Sequence, residues 1–321
     1  MREDRDKMKI TPNAPLFRDP IYDGAADPTI IWNPKEKAWW IFYTNRRASA
    51  TNIGFSYIHG CDIGIASSSD GGKTWIYRGI VEGLNYEPGR NTYWAPEIVE
   101  DNGVFHMFVS YVRGIPFDWN CDRKILHYTS KDLWHWNYEE TLKLTSDRVI
   151  DACVYKMPDG RWKMWYKDEN NDSFSYTAYS DNLYNWKPAG AEITDCPHEG
   201  PNVFRFMDKY WMITDPWHGL GVYKSDDACN WTRCSNILKE PGKRFDDGTI
   251  GAHADVLVNN GRAYIFYFTH PEVSETERND PDFVWEYRHR RTSLQVAELK
   301  YAGGELVCDR NIVEMDLCEP K

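Results

Sequence analysis

Basic residues are in deficit: 38 Lys and Arg stand against 49 Asp and Glu, a formal net charge of -11 over 321 residues. Nucleic-acid binding relies on clustered Lys and Arg to displace counterions, so no such partner is expected, whereas a neutral carbohydrate is compatible. No run of about 18 apolar residues occurs, so no helical membrane span is expected. The first residues, Met1 to Lys9, are charged and carry no apolar h-region. The chain as written therefore reads as cytoplasmic, or as exported if a leader was trimmed. The eight cysteines (Cys61, Cys121, Cys153, Cys196, Cys229, Cys234, Cys308, Cys318) show no metal-type CxxC spacing. Mostly reduced, partly buried thiols are expected rather than a disulfide framework.

Aromatic residues, by contrast, make up 15% of the chain, with 15 Trp and 20 Tyr. Such side chains suit half-buried strands and offer flat faces to sugar rings. They recur in an internal repeat of two apolar runs. Asp27-Pro28-Thr29-Ile30-Ile31-Trp32 leads to Ala38-Trp39-Trp40-Ile41-Phe42-Tyr43, and Trp94-Ala95-Pro96-Glu97-Ile98-Val99 leads to Val104 through Tyr111. Further units start at Ile150-Asp151-Ala152, Glu199-Gly200-Pro201 and Ala252-His253-Ala254. Turn signals such as Asp101-Asn102-Gly103 and Asn259-Asn260-Gly261 separate the two runs, so each pair reads as a β-hairpin. A third run follows most hairpins and ends in Trp75, Trp136, Trp186 or Trp231.

Markers at Asp27, Glu97, Asp151, Glu199 and His253 recur every 48 to 70 residues, near the roughly 40 to 50 of four-stranded blade repeats. The longer first interval is assigned in part to a loop, Ala48 to Gly60. The expected fold is all-β: one five-bladed β-propeller with four-stranded antiparallel blades, forming a single catalytic domain over 1–321. In a propeller the innermost strand of each blade lines the channel, so the five markers converge at one end of it. Any one Asp-Pro or Asp-Ala at a strand start reads as a turn or cap residue. Three acids, Asp27, Asp151 and Glu199, around one pocket point instead to cleavage of a glycosidic bond.

The ordered set Ala26-Asp27-Pro28, Trp94-Ala95-Pro96-Glu97, Ile150-Asp151, Glu199-Gly200-Pro201 and Gly251-Ala252-His253 resembles glycoside hydrolase family 43, five-bladed propellers that include arabinofuranosidases and xylosidases. The resemblance implies Asp27 as general base, Glu199 as general acid and Asp151 as the carboxylate that orients the acid and tunes its pKa. An inverting glycosidase sets base and acid roughly 6.5–9.5 Å apart. Asp27, expected to be the better solvated, stays ionised, while a neighbouring carboxylate keeps the acid protonated.

The resemblance also implies sugar stacking on Trp94 and a substrate contact from Arg291, although the neighbours Arg288 and Arg290 leave that choice open. His253 is expected beside a structural water or a cation, calcium or sodium, and no cofactor is required. Trp119 and Trp217 are equally readable as outer sugar platforms or as packing residues. Glu97, on the inner ring, stays outside the catalytic set. The segment Glu272 to Arg291 is expected to close one end of the groove. Ser68 to Trp75 reads as a structural Asp-box turn. The activity expected is an inverting, O-glycosyl hydrolysis of terminal arabinofuranose or xylose from plant-type oligosaccharide. The alternatives are a non-catalytic carbohydrate-binding propeller and a related-clan glycosidase with another sugar or a retaining mechanism; oligomeric state is left open.

Overall fold

The computed structural model describes residues 10–51, 53–278, 280 and 282–320, and the charged stretch Met1 to Lys9 lies outside them. Five four-stranded antiparallel sheets follow one another along the chain. The first holds β1 (Ala25–Asn33), β2 (Ala38–Asn45), β3 (Asp62–Ser68) and β4 (Ile76–Ile80). The second holds β5 (Thr92–Asp101), β6 (Val104–Val112), β7 (Lys124–Ser130) and β8 (Asn137–Thr141). The third is β9 (Val149–Lys156), β10 (Trp162–Asp168), β11 (Phe174–Ser180) and β12 (Lys187–Ile193), and the fourth β13 (Glu199–Phe206), β14 (Lys209–Asp215), β15 (Leu220–Ser225) and β16 (Thr232–Ile237). The fifth is β17 (Ala252–Asn259), β18 (Arg262–Thr269), β19 (Ser293–Ala302) and β20 (Glu305–Cys308). This is the five-bladed propeller that the repeats imply. The loop after β2 carries one 3₁₀ turn, Ser56–Ile58, and the segment between β18 and β19 carries the short helices α1 (Glu275–Arg278) and α2 (Tyr287–Arg290).

In the first four blades a Trp just after the third strand holds neighbouring blades together. Trp136, Trp186 and Trp231 set their rings edge-on against Phe42, Phe108 and Trp165 of the preceding blade, with centroids 6.2, 5.5 and 6.3 Å apart. Trp75 closes the circle against Phe266 of the fifth blade. Each Trp is aimed by a tight turn in which Asp or Asn side chains satisfy backbone N–H groups. Asp132 Oδ1 accepts from the N–H groups of Trp134 and His135, and Asp227 Oδ1 from those of Cys229 and Asn230. In the Asp box, Asp70 Oδ1 accepts from Thr74 N–H, a structural role. The ring is also stitched by the segment before β1, where Leu16 N–H donates to Leu294 O of blade five. All eight cysteines are free thiols.

Each inner strand has a bulge at one equivalent place, where two residues face one on the second strand. The bulges start at Asp27, Ala95, Asp151, Gly200 and His253, and the first four of these have φ of 48°, 43°, 58° and 56°. A bulge re-aims a side chain at the cost of an unpaired backbone group, and Asp tolerates the left-handed region better than most residues. The bulges also correct the register of the repeats. Glu199 lies one residue before its bulge, and Glu97 two residues after the start of its own. Two residues advance a strand by about 7 Å, so Glu97 stands in a different layer along the channel from Asp27.

Glu97 instead belongs to a deeper ring of latches. Glu97 Oε1 accepts Val154 N–H, Cys153 Sγ accepts Val203 N–H, Asn202 Oδ1 accepts Val256 N–H and Asp255 Oδ2 accepts Ile30 N–H. Each latch joins one blade to the next. Burial, reinforced by Asp255, pushes the Glu97 carboxyl well above its ordinary range. A raised folded-state pKa contributes stability below the unfolded value of about 4.3 and loses it as pH rises through the folded value. Glu97→Gln keeps an acceptor for Val154 and does not titrate. Its melting temperature relative to wild type should therefore climb by about 2–4 °C, the equivalent of about 1 kcal/mol, between pH 4 and 8. A pH series of thermal unfolding checks this, and a constant difference would sink the latch assignment.

Candidate active site

One cavity of about 420 Å³ is lined by Asp27, Asp151 and Glu199, from blades one, three and four, together with Arg46, Lys167, His253 and the aromatics Trp94, Trp119, Trp217 and Trp285. The structure thus brings together three acids separated by 172 positions of chain from Asp27 to Glu199. Glu97 is absent from this lining.

Asp27 is buried, not solvated as expected from the sequence. Its counter-charges replace water: Arg46 Nη2 lies 3.0 Å from Oδ1 and His253 Nδ1 lies 3.6 Å from it. Arg46 is fixed over the Phe268 ring, 4.6 Å from its centroid. Beside it, His270 donates from Nδ1 to His289 O, leaving Nε2 toward Arg46. Burial and Arg46 push His270 well below its ordinary value, so it stays neutral.

The ends of the second strands explain how Asp151 and Glu199 are coupled. In blades one and two this position is a hydroxyl: Thr44 accepts Ala95 N–H and Ser110 accepts Asp151 N–H, each from the next blade's bulge. Blade three carries Lys167 here, which has no acceptor. The bulge N–H it would serve, that of Gly200, donates instead to Asp151 Oδ2 at 3.1 Å. Asp151 thereby holds the residue next to Glu199. Lys167 Nζ sits 3.1 Å from Glu199 Oε2 and 3.2 Å from Glu169 Oε1.

In blade four the same position is Asp215, opposite Glu199 in the β13–β14 pairing. Its Oδ1 accepts Trp217 N–H at 2.7 Å and its Oδ2 accepts His253 N–H at 2.9 Å, so it clamps a cavity-wall loop to blade five. Burial and the charge of Glu199 push Asp215 up to about 7. Asp151 rises to about 6, from burial first and Glu199 repulsion, against the attraction of His253. Protons are therefore held beside Glu199 near neutral pH.

Gly200 is required twice over: its φ is +56°, and a Cβ there would meet the His253 ring carbons at 2.8 Å. Burial alone would lower the His253 pKa, but Asp151, Asp27, Glu199 and Asp215 outweigh it and raise it. An imidazole that ligates a metal must be neutral. Among the described residues, no group of three or more His, Cys, Asp or Glu is arranged to hold a metal ion. No step below runs through a cation.

Trp94 is nearly buried and donates its indole N–H to Ile58 O, while Trp119 lies 6.3 Å from it and is held from behind by Arg123, whose Nη2 donates to Trp119 O. Trp217, 40% exposed, faces the Lys167 ammonium at 5.2 Å. Arg291 is the expectation that fails. Each of its three guanidinium nitrogens is engaged, two with Asp246 at 2.8 and 2.9 Å and one with Glu272 at 2.6 Å, and it does not line the cavity. The buried Asp246 and the exposed Glu272 together occupy the guanidinium fork; Arg46 is the arginine of this site. The Glu272 to Arg291 segment does reach the cavity, through Trp285, which stacks on Tyr57 at 6.3 Å.

Arg46, Lys167, Asp215 and Trp285 were not singled out by sequence reasoning. For Lys167 and Asp215 a signal existed: aligning the ends of the second strands puts them where other blades carry Thr44 and Ser110.

No protein-family model and no curated protein matches the sequence. Solved structures do match. A thermostable family-43 glycoside hydrolase superposes with a TM-score of 0.68 at 18% identity, covering 94% of this chain and 99% of that one. A family-43 β-xylosidase/α-arabinofuranosidase from a compost microbial metagenome, in complex with xylotriose and in a calcium-free form, superposes with a TM-score of 0.65 at 16% identity, covering 93% and 96%. A family-32 β-fructofuranosidase of Bombyx mori reaches 0.66 at 14% identity, covering 89% of this chain and 62% of that one. At such identities the likeness is one of architecture: this chain has the five-bladed β-propeller fold that these glycoside hydrolases share.

Proposed function

We propose that this protein is a glycoside hydrolase of the family 43 type, releasing terminal arabinofuranose or xylose from plant-type oligosaccharides with inversion. The observation that carries the reading is the convergence of Asp27, Asp151 and Glu199 on one aromatic-walled cavity. Glu199 protonates the leaving oxygen. Asp27, held by Arg46 and His253, takes a proton from the attacking water on the opposite face of the sugar. Asp151 orients the acid through Gly200 N–H, and Asp151 and Asp215 keep protons within the same desolvated cluster. Trp94 and Trp119 offer faces to the sugar rings. Trp285, from the segment after β18, adds a wall that favours a chain end over a mid-chain stretch.

The fold itself is common to a family-32 enzyme, so sugar and stereochemistry need their own test. A panel of aryl glycosides and of arabino-, xylo- and galacto-oligosaccharides, followed by NMR of the first anomer formed, supplies it. Inverted pentose from the non-reducing end is expected. A retained anomer would move the protein to the retaining reading, and tight binding without turnover would move it to a carbohydrate-binding one.

A further inference from the structure

Beyond Trp217 lies a second cavity of about 480 Å³, lined by Trp217, His218, Lys239, Glu240, Glu275 and Arg278 among others. Trp217 lines both cavities, so its ring is the partition between them. Arg278 is half-buried, yet among the described residues its guanidinium makes no hydrogen bond and no ion pair. Two carboxylates of the same segment are engaged elsewhere. Glu277 pairs with Arg288 and His289 at 3.2 and 3.4 Å, and Glu272 pairs with Arg291 at 2.6 Å. Glu240 faces Lys239 at 3.7 Å on the exposed rim, where Glu275 is also exposed. Asp215 attracts Arg278 electrostatically, but its two oxygens are occupied by Trp217 and His253 N–H groups. Burial leaves Arg278 below the usual guanidinium value in spite of Asp215.

Taking a cation out of water without a partner is costly. A guanidinium fork matches a carboxylate better than any other side chain does. We infer that this second cavity is an anion subsite, in which Arg278 receives the carboxylate of a uronic acid adjacent to the sugar being cleaved. The inference rests on the glycosidase reading for the position of the scissile bond, and it narrows the substrate to acidic, uronate-bearing oligosaccharide. The protein's net charge of -11 repels polyanions at long range, so selectivity has to come from this local, desolvated contact rather than from steering.

The test uses one uronate-bearing xylo-oligosaccharide in three forms, with the free acid, its methyl ester and a sulfate ester at the same position. Binding is followed by calorimetry and turnover by product analysis, with wild type and Arg278→Met. Wild type should bind the acid about 10-fold more tightly than the methyl ester, the range of a charge-assisted hydrogen bond. Arg278→Met should bind the two alike. It should also melt no lower than wild type, since it removes an unpaired charge. Equal affinity of wild type for acid and methyl ester overturns the subsite even if both are hydrolysed. Preference for the sulfate overturns the carboxylate assignment. Tighter binding of the acid with no hydrolysis of any form supports the subsite and removes the glycosidase reading instead.

Discussion

Glu199→Gln is expected to slow hydrolysis of an unactivated oligosaccharide by about 10²- to 10⁴-fold, the usual contribution of general acid catalysis. Aryl glycosides with good leaving groups should lose much less, because their departing oxygen needs no proton. The substitution is nearly isosteric, and Lys167 keeps its second partner, Glu169, at 3.2 Å, so the cavity should hold its shape. Ratios of kcat/KM for the two substrate classes give the result, and equal losses on both would sink the acid assignment. In wild type, activity on unactivated substrate should fall as pH rises through about 6 to 7, where Asp151 and Asp215 give up the protons that burial and Glu199 hold on them.

Asp27→Asn should lower turnover of both substrate classes by about 10²- to 10⁴-fold, since every leaving group needs the water activated. Asparagine is the informative replacement. The backbone at residue 27 has φ 48°, which Asn adopts readily and Ala does not, so loss of activity reads chemistry rather than strain. Thermal stability should also fall. Arg46 and His253 would both face an amide, and breaking a buried pair costs about 3–5 kcal/mol, less here because the Arg46 side chain keeps 17% exposure. Retained hydrolysis of both classes by Asp27→Asn would assign the base elsewhere.

The blades were legible because strand and turn signals are local. Ile30-Ile31-Trp32 and Trp39-Trp40-Ile41 pair across Asn33-Pro34-Lys35-Glu36 much as written, with Trp32 opposite Trp39. The equivalence of the inner strands was not, because a bulge is invisible to an alternation of apolar residues. Aligning Glu97 with Asp27 is wrong by two positions, and only the paired second strand reveals it. Arg291 shows the same limit. The resemblance implies a substrate contact for it, but Asp246 and Glu272, brought from other loops, engage all three of its guanidinium nitrogens.

Sequence alone determined the number of blades, the inner-strand origin of Asp27, Asp151 and Glu199, and the Trp-ended turns, since hydrophobic alternation and turn chemistry act between residues near one another in the chain. Tertiary structure alone decided which charges answer those acids: Arg46 for Asp27, Lys167 for Glu199, Asp215 as a further buried carboxyl, and Arg278 with no ion pair among the described residues. Ring closure sets side chains from different blades face to face, and desolvation then makes each pairing count. Neither effect has a signature in any short stretch of sequence.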